Sequence, residues 1–301
     1  MGKDIQDVAG RLMRWATEQP EQLALVHKRQ GVWKAWRWVD VQRDVAHLQG
    51  ALRSLGPARS LGVQGALAPE LILLALAAQA EGLNLVCLDP HVQGDALCAG
   101  IRARQLDLLL VTGQAGVQQA VRALEGQTDG PRLILSHLQP GSATSAVALA
   151  RLYPGGVPES RPPLGWQAVQ RARLGWVEEG SEWPDGLRLV LDRLLSRGEG
   201  VAFPETAGSA ERDRRDIAPV ALLLSPARAQ ALAGALEARL APVGSLRRRL
   251  WLWAQRHTGR PGLHRALRLR VRALAGLHRV RVVEPLPGTG GIWWQAVQEG
   301  A

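Results

Sequence analysis

The sequence predicts an α/β fold in which layers of parallel sheet are covered by helices. Helical apolar stripes alternate along the chain with short apolar segments, as in a series of β-α-β units. The segments "LNLVCLD" (83–89) and "LDLLLVTG" (106–113) are apolar at most positions, which is typical of parallel strands buried on both faces. The chain has 301 residues, of which 46% are apolar, and this is enough material for a substantial core.

The first 125 residues are predicted to form one α/β subdomain. A helical stripe stops at Pro20, and two alternating segments flank the polar turn at 29–31, as in a β-hairpin. Asp40 can cap the helix that follows the hairpin, and Pro69 can occupy the first turn of a later helix. The predicted helices cover 4–18, 41–55, 69–80, 92–104 and 115–124, and the predicted strands cover 23–28, 31–38, 61–67, 83–89 and 106–113.

The stretch 126–184 differs from the rest because it is rich in proline and glycine. Only "RLILSH" (132–137) resembles a strand there, so we interpret the stretch as a loop-rich insertion on the same body. A second α/β subdomain is predicted over 185–301. Its predicted elements are helices over 186–197, 208–216, 226–240 and 291–299, strands over 200–203, 220–225 and 279–284, and two basic helical stretches.

Several functional classes lack the sequence features they need. The N-terminus has no apolar signal-peptide core, and the longest apolar run, 71–78, is far shorter than the roughly 18 residues of a membrane span. Cys87 and Cys98 match no metal spacing, and the histidines form no ligand pair. We therefore predict a cytoplasmic protein with reduced cysteines, no metal and no cofactor.

Three tryptophans in the predicted hairpin are a conspicuous local feature. Trp36 and Trp38 are predicted to share one face of the strand, and Trp33 lies on the other. Packing in the core is the simplest role for these side chains, and contact with a ligand is the alternative.

The order of these blocks resembles the N-terminal part of long-chain fatty-acyl-CoA synthetases, which belong to the adenylate-forming superfamily. The resemblance rests on segment 21–56, with its tryptophan hairpin, on "LAPELILLALAAQAEGLNLVCLDP" (67–90) and on "LDLLLVTG". It resumes at 198–254 and at "AGLHRVRVVEPLPG" (275–288). The resemblance implies that the tryptophan hairpin is structural and that the second block leads into a long basic helix.

The sequence departs from this family where the family binds ATP. Family members hold the phosphates with a Thr/Ser/Gly-rich loop ending in Gly-Lys, but nothing between Glu178 and Gly200 supplies such a loop. No lysine occurs after Lys34, and the sequence ends at Ala301 before the magnesium-binding glutamate, the ribose-binding aspartate and the lid domain would follow. The resemblance therefore implies an inactive relative with no catalytic residue and no C-terminal lid.

Other catalytic patterns are weak. The "PGTGG" turn (287–291) lacks the Gly-Lys-Ser/Thr ending of a nucleotide loop and is read as a structural turn. Ser225 follows a strand, as an elbow nucleophile would, but it lacks flanking glycines and is better placed to cap the helix at Pro226.

A basic segment accounts for the whole net charge of +10. Between Glu237 and Glu284 there are 12 arginines and no acidic residue, and the rest of the chain has 25 basic against 27 acidic residues. A basic amphipathic helix with interfacial tryptophan can lie on an anionic membrane surface, although a solvated face is the alternative. Nucleic acid is a third interpretation, but no recognised nucleic-acid module accompanies the charge. The predicted membrane or partner contacts are Arg247, Arg248, Arg249, Trp251, Trp253, Arg265, Arg268 and Arg272.

Three functions remain open from the sequence. The first is an inactive scaffold or regulatory subunit for a protein partner at the cytoplasmic membrane surface. The second is a binder of a fatty acyl chain or acyl-CoA in a residual pocket. The third is an enzyme with an unconventional site, for which the sequence shows no convergent titratable groups. An apolar tunnel lined from 201–240 would favour a ligand, and a large exposed apolar patch would favour a partner.

Overall fold

A computed structural model gives the architecture of the chain. It describes residues 2–125, 130–136, 146–152, 163–238, 245–246, 248–249, 253, 273 and 276–284. The helices are α1 Gly2–Glu18, α2 Trp38–Ser54, α3 Pro69–Ala80, α4 Gly94–Ala103, α5 Gln114–Leu124, α6 Trp166–Arg171, α7 Pro184–Arg197, α8 Ala210–Ile217 and α9 Pro226–Ala238, with a short 3-10 helix at Leu149–Leu152. The strands are β1 Leu23–Arg29, β2 Val32–Arg37, β3 Ser60–Gln64, β4 Asn84–Leu88, β5 Leu108–Val111, β6 Arg132–Leu135, β7 Val147–Ala148, β8 Gly175–Val177, β9 Val201–Phe203, β10 Ala221–Leu223 and β11 Val282–Glu284.

The strands form two sheets. One has the order β11-β10-β8-β9-β1-β2, and the other has the order β4-β3-β5-β6-β7. Every pairing is parallel except that of the β1–β2 hairpin. Strand β1 pairs with β9, with Leu25 opposite Val201, so the first sheet joins residues from opposite ends of the sequence. The predicted α/β class with parallel-sheet layers is confirmed.

Helices occupy the space between the sheets and both outer faces. A single apolar core contains residues of α1, α2, α3 and α7 together with the facing side chains of both sheets. Helix α3 is buried around its whole circumference from Leu71 to Ala78, as expected for a helix between two sheets. A second core covers the outer face of the first sheet against α6, α8 and α9, and a third covers the other sheet with α4 and α5.

The predicted core role of the hairpin tryptophans is confirmed. Trp36 and Trp38 are completely buried in the central core, and Trp33 is buried in the core on the other side of the sheet. The ring centroids of Trp15 and Trp38 lie 6.2 Å apart, which joins α1 to the start of α2.

Two local predictions differ from the structure. Helix α2 begins at Trp38, three residues before the predicted start, so Asp40 lies in its first turn and accepts a hydrogen bond from the Arg37 backbone N–H at 3.1 Å. The stretch read as a loop-rich insertion also contributes β8, a central strand of the first sheet. Three residues are too few to show a periodic pattern. The subdomain boundaries themselves remain predictions.

No helix among the described residues has the length and apolar character needed to cross a membrane.

Candidate functional site

A cleft of about 680 Å³ lies between the two sheets. The segments that follow β1, β3, β4, β5, β6, β8 and β9 line it, so it opens at the carboxyl ends of parallel strands from both sheets. Ligands of open α/β sheets bind at this edge, and the volume is that of a small-molecule site. The cleft is the best candidate site in the part of the chain that the structure describes.

The loop between β8 and α7, residues 178–183, forms one wall of the cleft and is held firmly to the opposite sheet. The backbone N–H of Ser181 donates to the carbonyl of Gly65 at 2.8 Å, and the N–H of Gly65 donates to the Ser181 hydroxyl at 2.9 Å. That hydroxyl donates in turn to the carbonyl of Leu88 at 2.6 Å. A side chain on Gly180 would place its Cβ 2.6 Å from the Gly65 carbonyl oxygen, so this close approach requires glycine.

The described residues around the cleft carry an excess of acid. Five carboxylates line it, against the two basic side chains Lys28 and Arg29, so the balance is −3 in a protein whose net charge is +10. The carboxylates are Glu70, Glu178, Glu179, Glu182 and Glu205. The electrostatic character of the cleft is therefore opposite to that of the whole chain.

Two of these carboxylates are neutralised by arginine. Glu70 forms an ion pair with Arg29. The Glu178 carboxylate forms ion pairs with Arg214 and Arg228, each at 2.8 Å, and accepts a hydrogen bond from the indole N–H of Trp176 at 2.8 Å. Because Glu178 and Arg214 are almost completely buried, this pairing keeps their charges from being isolated in the core.

The lysine at the cleft is directed away from it. Lys28 Nζ lies 2.9 Å from Asp213 Oδ1 and 2.6 Å from Asp216 Oδ2, both on α8. The ammonium also lies 5.3 Å from the centre of the Trp33 ring. Although burial opposes the charge, the two carboxylates raise the pKa of Lys28, so the charge is held by α8 and not offered to the cleft.

His27, one of the two histidines that line the cleft, is neutral. Burial lowers the pKa of His27 to about 3, and the nearby positive charge of Arg29 adds to the fall. A ring nitrogen of His27 lies 3.1 Å from the carbonyl oxygen of Pro204, and the other accepts a hydrogen bond from Arg29 Nε. His27 therefore adds no positive charge at neutral pH.

Glu179 and Glu182 are the carboxylates of the cleft that form hydrogen bonds to backbone N–H groups in place of ion pairs among the described residues. In the described ranges neither forms an ion pair; Glu179 Oε2 accepts from the Ser225 backbone N–H at 2.6 Å, and Glu182 Oε1 accepts from the Gly180 N–H at 2.8 Å. Burial raises the pKa of the Glu179 carboxyl and the like charge of Glu182 adds to the rise, whereas the hydrogen bonds to Ser225 and the charge of Arg228 oppose it. The only signal of this pair in the sequence is the acidic stretch "EEGSE" (178–182), which does not by itself show which carboxylates line a cleft.

The predicted membrane or partner contacts that the structure describes do not line the cleft. Arg248, Arg249 and Trp253 are described, and the side chains of Trp253 and of Leu246, which is nearby in sequence, are 42% and 75% exposed. The other predicted contact residues, Arg247, Trp251, Arg265, Arg268 and Arg272, lie outside the described residues, as do the "PGTGG" turn and the predicted helix over 291–299.

An apolar tunnel lined by 201–240 would indicate a ligand, and a large exposed apolar patch would indicate a partner. From the described part of the segment 201–240, residues 204–207 line the main cleft, and a smaller cavity of about 250 Å³ lies between α8 and α9. Large exposed apolar side chains in the described ranges are spread over distant elements: Met13, Val32, Val39, Val92, Leu246, Trp253 and Val282. No group of three or more potential metal ligands occurs among the described residues.

The fold is that of known adenylate-forming enzymes, although no protein-family model and no curated protein matches the sequence. The adenylation domain of a carboxylate reductase from Mycobacterium chelonae matches 96% of this chain with 57% of its own, at a TM-score of 0.64 and 12% identity. For coronafacic acid ligase from Pectobacterium brasiliense, the match covers 80% of this chain and 53% of the ligase, at a TM-score of 0.62 and 9% identity. For acetoacetyl-CoA synthetase from Streptomyces lividans, it covers 77% of this chain and 45% of the synthetase, at a TM-score of 0.54 and 16% identity. The chain thus spans about half the length of these structures, and the likeness concerns the fold alone.

Proposed function

We propose, on the premise that this chain has the fold of the N-terminal domain of adenylate-forming ligases, that it binds a small apolar molecule in the cleft without joining it to AMP. The observation that carries this proposal is the acidic loop between β8 and α7, at the place where the resemblance puts a phosphate-binding loop. This proposal combines the inactive relative and the ligand binder that the sequence left open.

The acidic loop argues against nucleotide binding. A helix N-terminus is an ordinary site for phosphate because its N–H groups and dipole favour an anion. Here Glu182 and Asp185 flank the first residue of α7, Pro184, and complement the dipole themselves. Glu179, which forms no ion pair among the described residues, adds a further negative charge, so a triphosphate would meet repulsion. Loss of one stabilising electrostatic group typically costs two to three orders of magnitude in rate.

The cleft favours a ligand over a partner as the main function. Its volume lies within the range of about 300–1,000 Å³ that is usual for small-molecule sites. Apolar side chains of Leu67 and Leu149 contribute to the lining, which suits the alkyl chain that the family resemblance implies. The exposed apolar side chains of the described residues, in contrast, lie on several different elements.

The direct experiment is a calorimetric titration with octan-1-ol, with and without ATP and magnesium. We expect saturable binding whose affinity does not depend on the nucleotide. The substitution Ala66→Trp should abolish binding by filling the cleft, whereas the control Ala9→Trp on α1 should leave it unchanged. Absence of binding to the unmodified chain, or binding only with ATP, would contradict the proposal.

A second candidate function is suggested by the basic segment between Glu237 and Glu284. Its 12 arginines without acidic residues repel one another, so the segment is more stable beside a polyanion. The exposed Trp253 and Leu246 could enter the boundary of a bilayer while the arginines contact anionic headgroups. In this second function the chain is a scaffold or regulatory subunit at the inner membrane surface, bound to a protein partner.

A further inference from the structure

We infer that the ligand of this cleft is a cationic amphiphile: a protonated amine on an apolar body, with the ammonium held between Glu179 and Glu182. The inference rests on the proposed function, because it names the chemical class of the molecule that the same cleft binds. The argument combines the cavity with the charge that its lining residues leave uncompensated.

The carboxylates of the cleft fall into two groups. Glu70 and Glu178 are neutralised by Arg29 and by Arg214 with Arg228. Glu205 accepts from the backbone N–H of Gly31 and lies 4.0 Å from Arg212. Glu179 and Glu182 are left with backbone N–H donors and no ion pair in the described part of the chain.

Among the described residues that line the cleft, the basic side chains Lys28, Arg29 and His27 are not available to fill this place. Lys28 is held by Asp213 and Asp216, and Arg29 is held by Glu70. His27 is neutral because it is buried next to Arg29. Arg228 forms its ion pair with Glu178, and its charge also acts on Glu179. One arginine shared in this way does not balance the three carboxylates Glu178, Glu179 and Glu182, and a bound ammonium would supply further positive charge beside Glu179 and Glu182.

The two carboxylates are positioned in advance. The N–H of Leu67 donates to the Glu179 carbonyl at 3.1 Å, and the reciprocal hydrogen bonds of Ser181 with Gly65 hold the same loop. The N–H of Ser225 donates to one oxygen of Glu179, and the N–H of Gly180 donates to one oxygen of Glu182, so each carboxylate is held in place. Such preorganisation reduces the entropy cost of binding an ammonium.

Glu179 and Glu182 also lie at different depths. Glu179 is half-buried and Glu182 is exposed, so an ammonium between them lies at the edge of the cleft. From there an alkyl chain can extend inward along Leu67, Ala68 and Leu149. An octanoate ion of the same length would place its carboxylate against two like charges, which is unfavourable.

The test compares three ligands of equal chain length: octylamine, octan-1-ol and octanoate. Octylamine is protonated at neutral pH, and we expect it to bind about tenfold more tightly than octan-1-ol, with octanoate weakest. The double substitution Glu179→Gln and Glu182→Gln should remove this preference while octan-1-ol still binds, which also shows that the variant is folded. The control Asp185→Asn removes a carboxylate of the same region that does not line the cleft, and it should keep the preference.

The other possible outcomes distinguish failure of the cationic ligand from failure of the proposed function. Equal binding of octylamine and octan-1-ol would overturn the cationic ligand but leave the proposed function standing. Absence of binding by all three would overturn both. A preference for octylamine that survives the double substitution would overturn the assignment to Glu179 and Glu182.

Discussion

Gly65 and Ser181 join the two sheets of this protein through reciprocal hydrogen bonds. The N–H of Ser181 donates to the carbonyl of Gly65 at 2.8 Å, and the N–H of Gly65 donates to the Ser181 hydroxyl at 2.9 Å. Gly65 follows β3 of one sheet, and Ser181 follows β8 of the other. This pair sets the position of the acidic loop relative to the rest of the cleft.

Replacement of Ser181 by alanine should therefore weaken the fold and the cleft together. The hydroxyl is buried, and its loss leaves the Gly65 N–H without its acceptor and the Leu88 carbonyl without its donor. An unsatisfied buried polar group costs about 1–3 kcal/mol, and we expect a loss of this size in urea unfolding. The control Ser54→Ala, at an exposed hydroxyl, should change stability by less than about 0.5 kcal/mol. Equal stability of the two variants would show that the hydrogen bonds of the Ser181 hydroxyl do not contribute to stability.

The hairpin tryptophans should contribute strongly to stability. Trp36 and Trp38 are completely buried, so replacement of either by alanine should cost about 3–5 kcal/mol. The control Trp253→Ala removes the same side chain from a position that is 42% exposed, and its effect should be much smaller. Thermal melting measures the difference. An unchanged melting temperature for Trp36→Ala would reject the packing role.

Asp107 should make stability depend on pH in the acid range. The backbone N–H of Arg59 and the N–H and hydroxyl of Ser60 donate to one of its oxygens at 2.7–3.1 Å, and the first of these contributes most to lowering the pKa of this carboxyl. A lowered folded pKa stabilises the protein above the unfolded pKa of about 3.9. The contribution is lost as the pH falls through the folded pKa.

The variant Asp107→Asn should accordingly be less stable than the unmodified protein at neutral pH, and the gap should close as the pH falls below about 4. Urea midpoints across this range provide the measurement, with Asp185→Asn as the exposed control. A gap that stays constant with pH would mean that ionisation of Asp107 is not involved.

The basic segment should bind anionic vesicles in a salt-dependent manner. Screening shortens the Debye length from about 10 Å at 0.1 M salt to about 3 Å at 1 M, so co-sedimentation should weaken steeply. Replacement of Arg247, Arg248 and Arg249 by glutamine should remove most of the binding. The same loss of charge at Arg102 on α4, at Arg104 directly after it and at Arg122 on α5 should leave the binding unchanged. Equal binding to neutral and anionic lipid, or an unchanged triple variant, would leave an acidic protein partner as the better explanation.

The fold was predictable where the local pattern is long enough to be periodic. Helix α3 begins at Pro69 and ends at Ala80, as the apolar run between proline and glycine indicates. Strand β8 was missed because its three residues show no period and because its neighbours β9 and β10 come later in the sequence. Pairings of this kind depend on tertiary contacts rather than on local pattern.

At the candidate site, the sequence predicts only how this chain differs from the ATP-binding loop of the family it resembles. The sequence shows that a Thr/Ser/Gly-rich loop is lacking after Glu178, but it does not show which carboxylates acquire partners. Glu178 and Glu179 are adjacent, yet only Glu178 is paired with arginines, because Arg214 and Arg228 come to it from α8 and α9. The difference between a neutralised and an uncompensated carboxylate is decided by packing.

The most direct test of the account is pyrophosphate release from ATP and magnesium in the presence of a panel of fatty acids, with an active acyl-CoA ligase as the positive control. The acidic loop between β8 and α7 predicts no acid-dependent release above that of the heat-inactivated chain. Acid-dependent release that increases with the concentration of the unmodified chain would contradict the central claim that this cleft binds without adenylating.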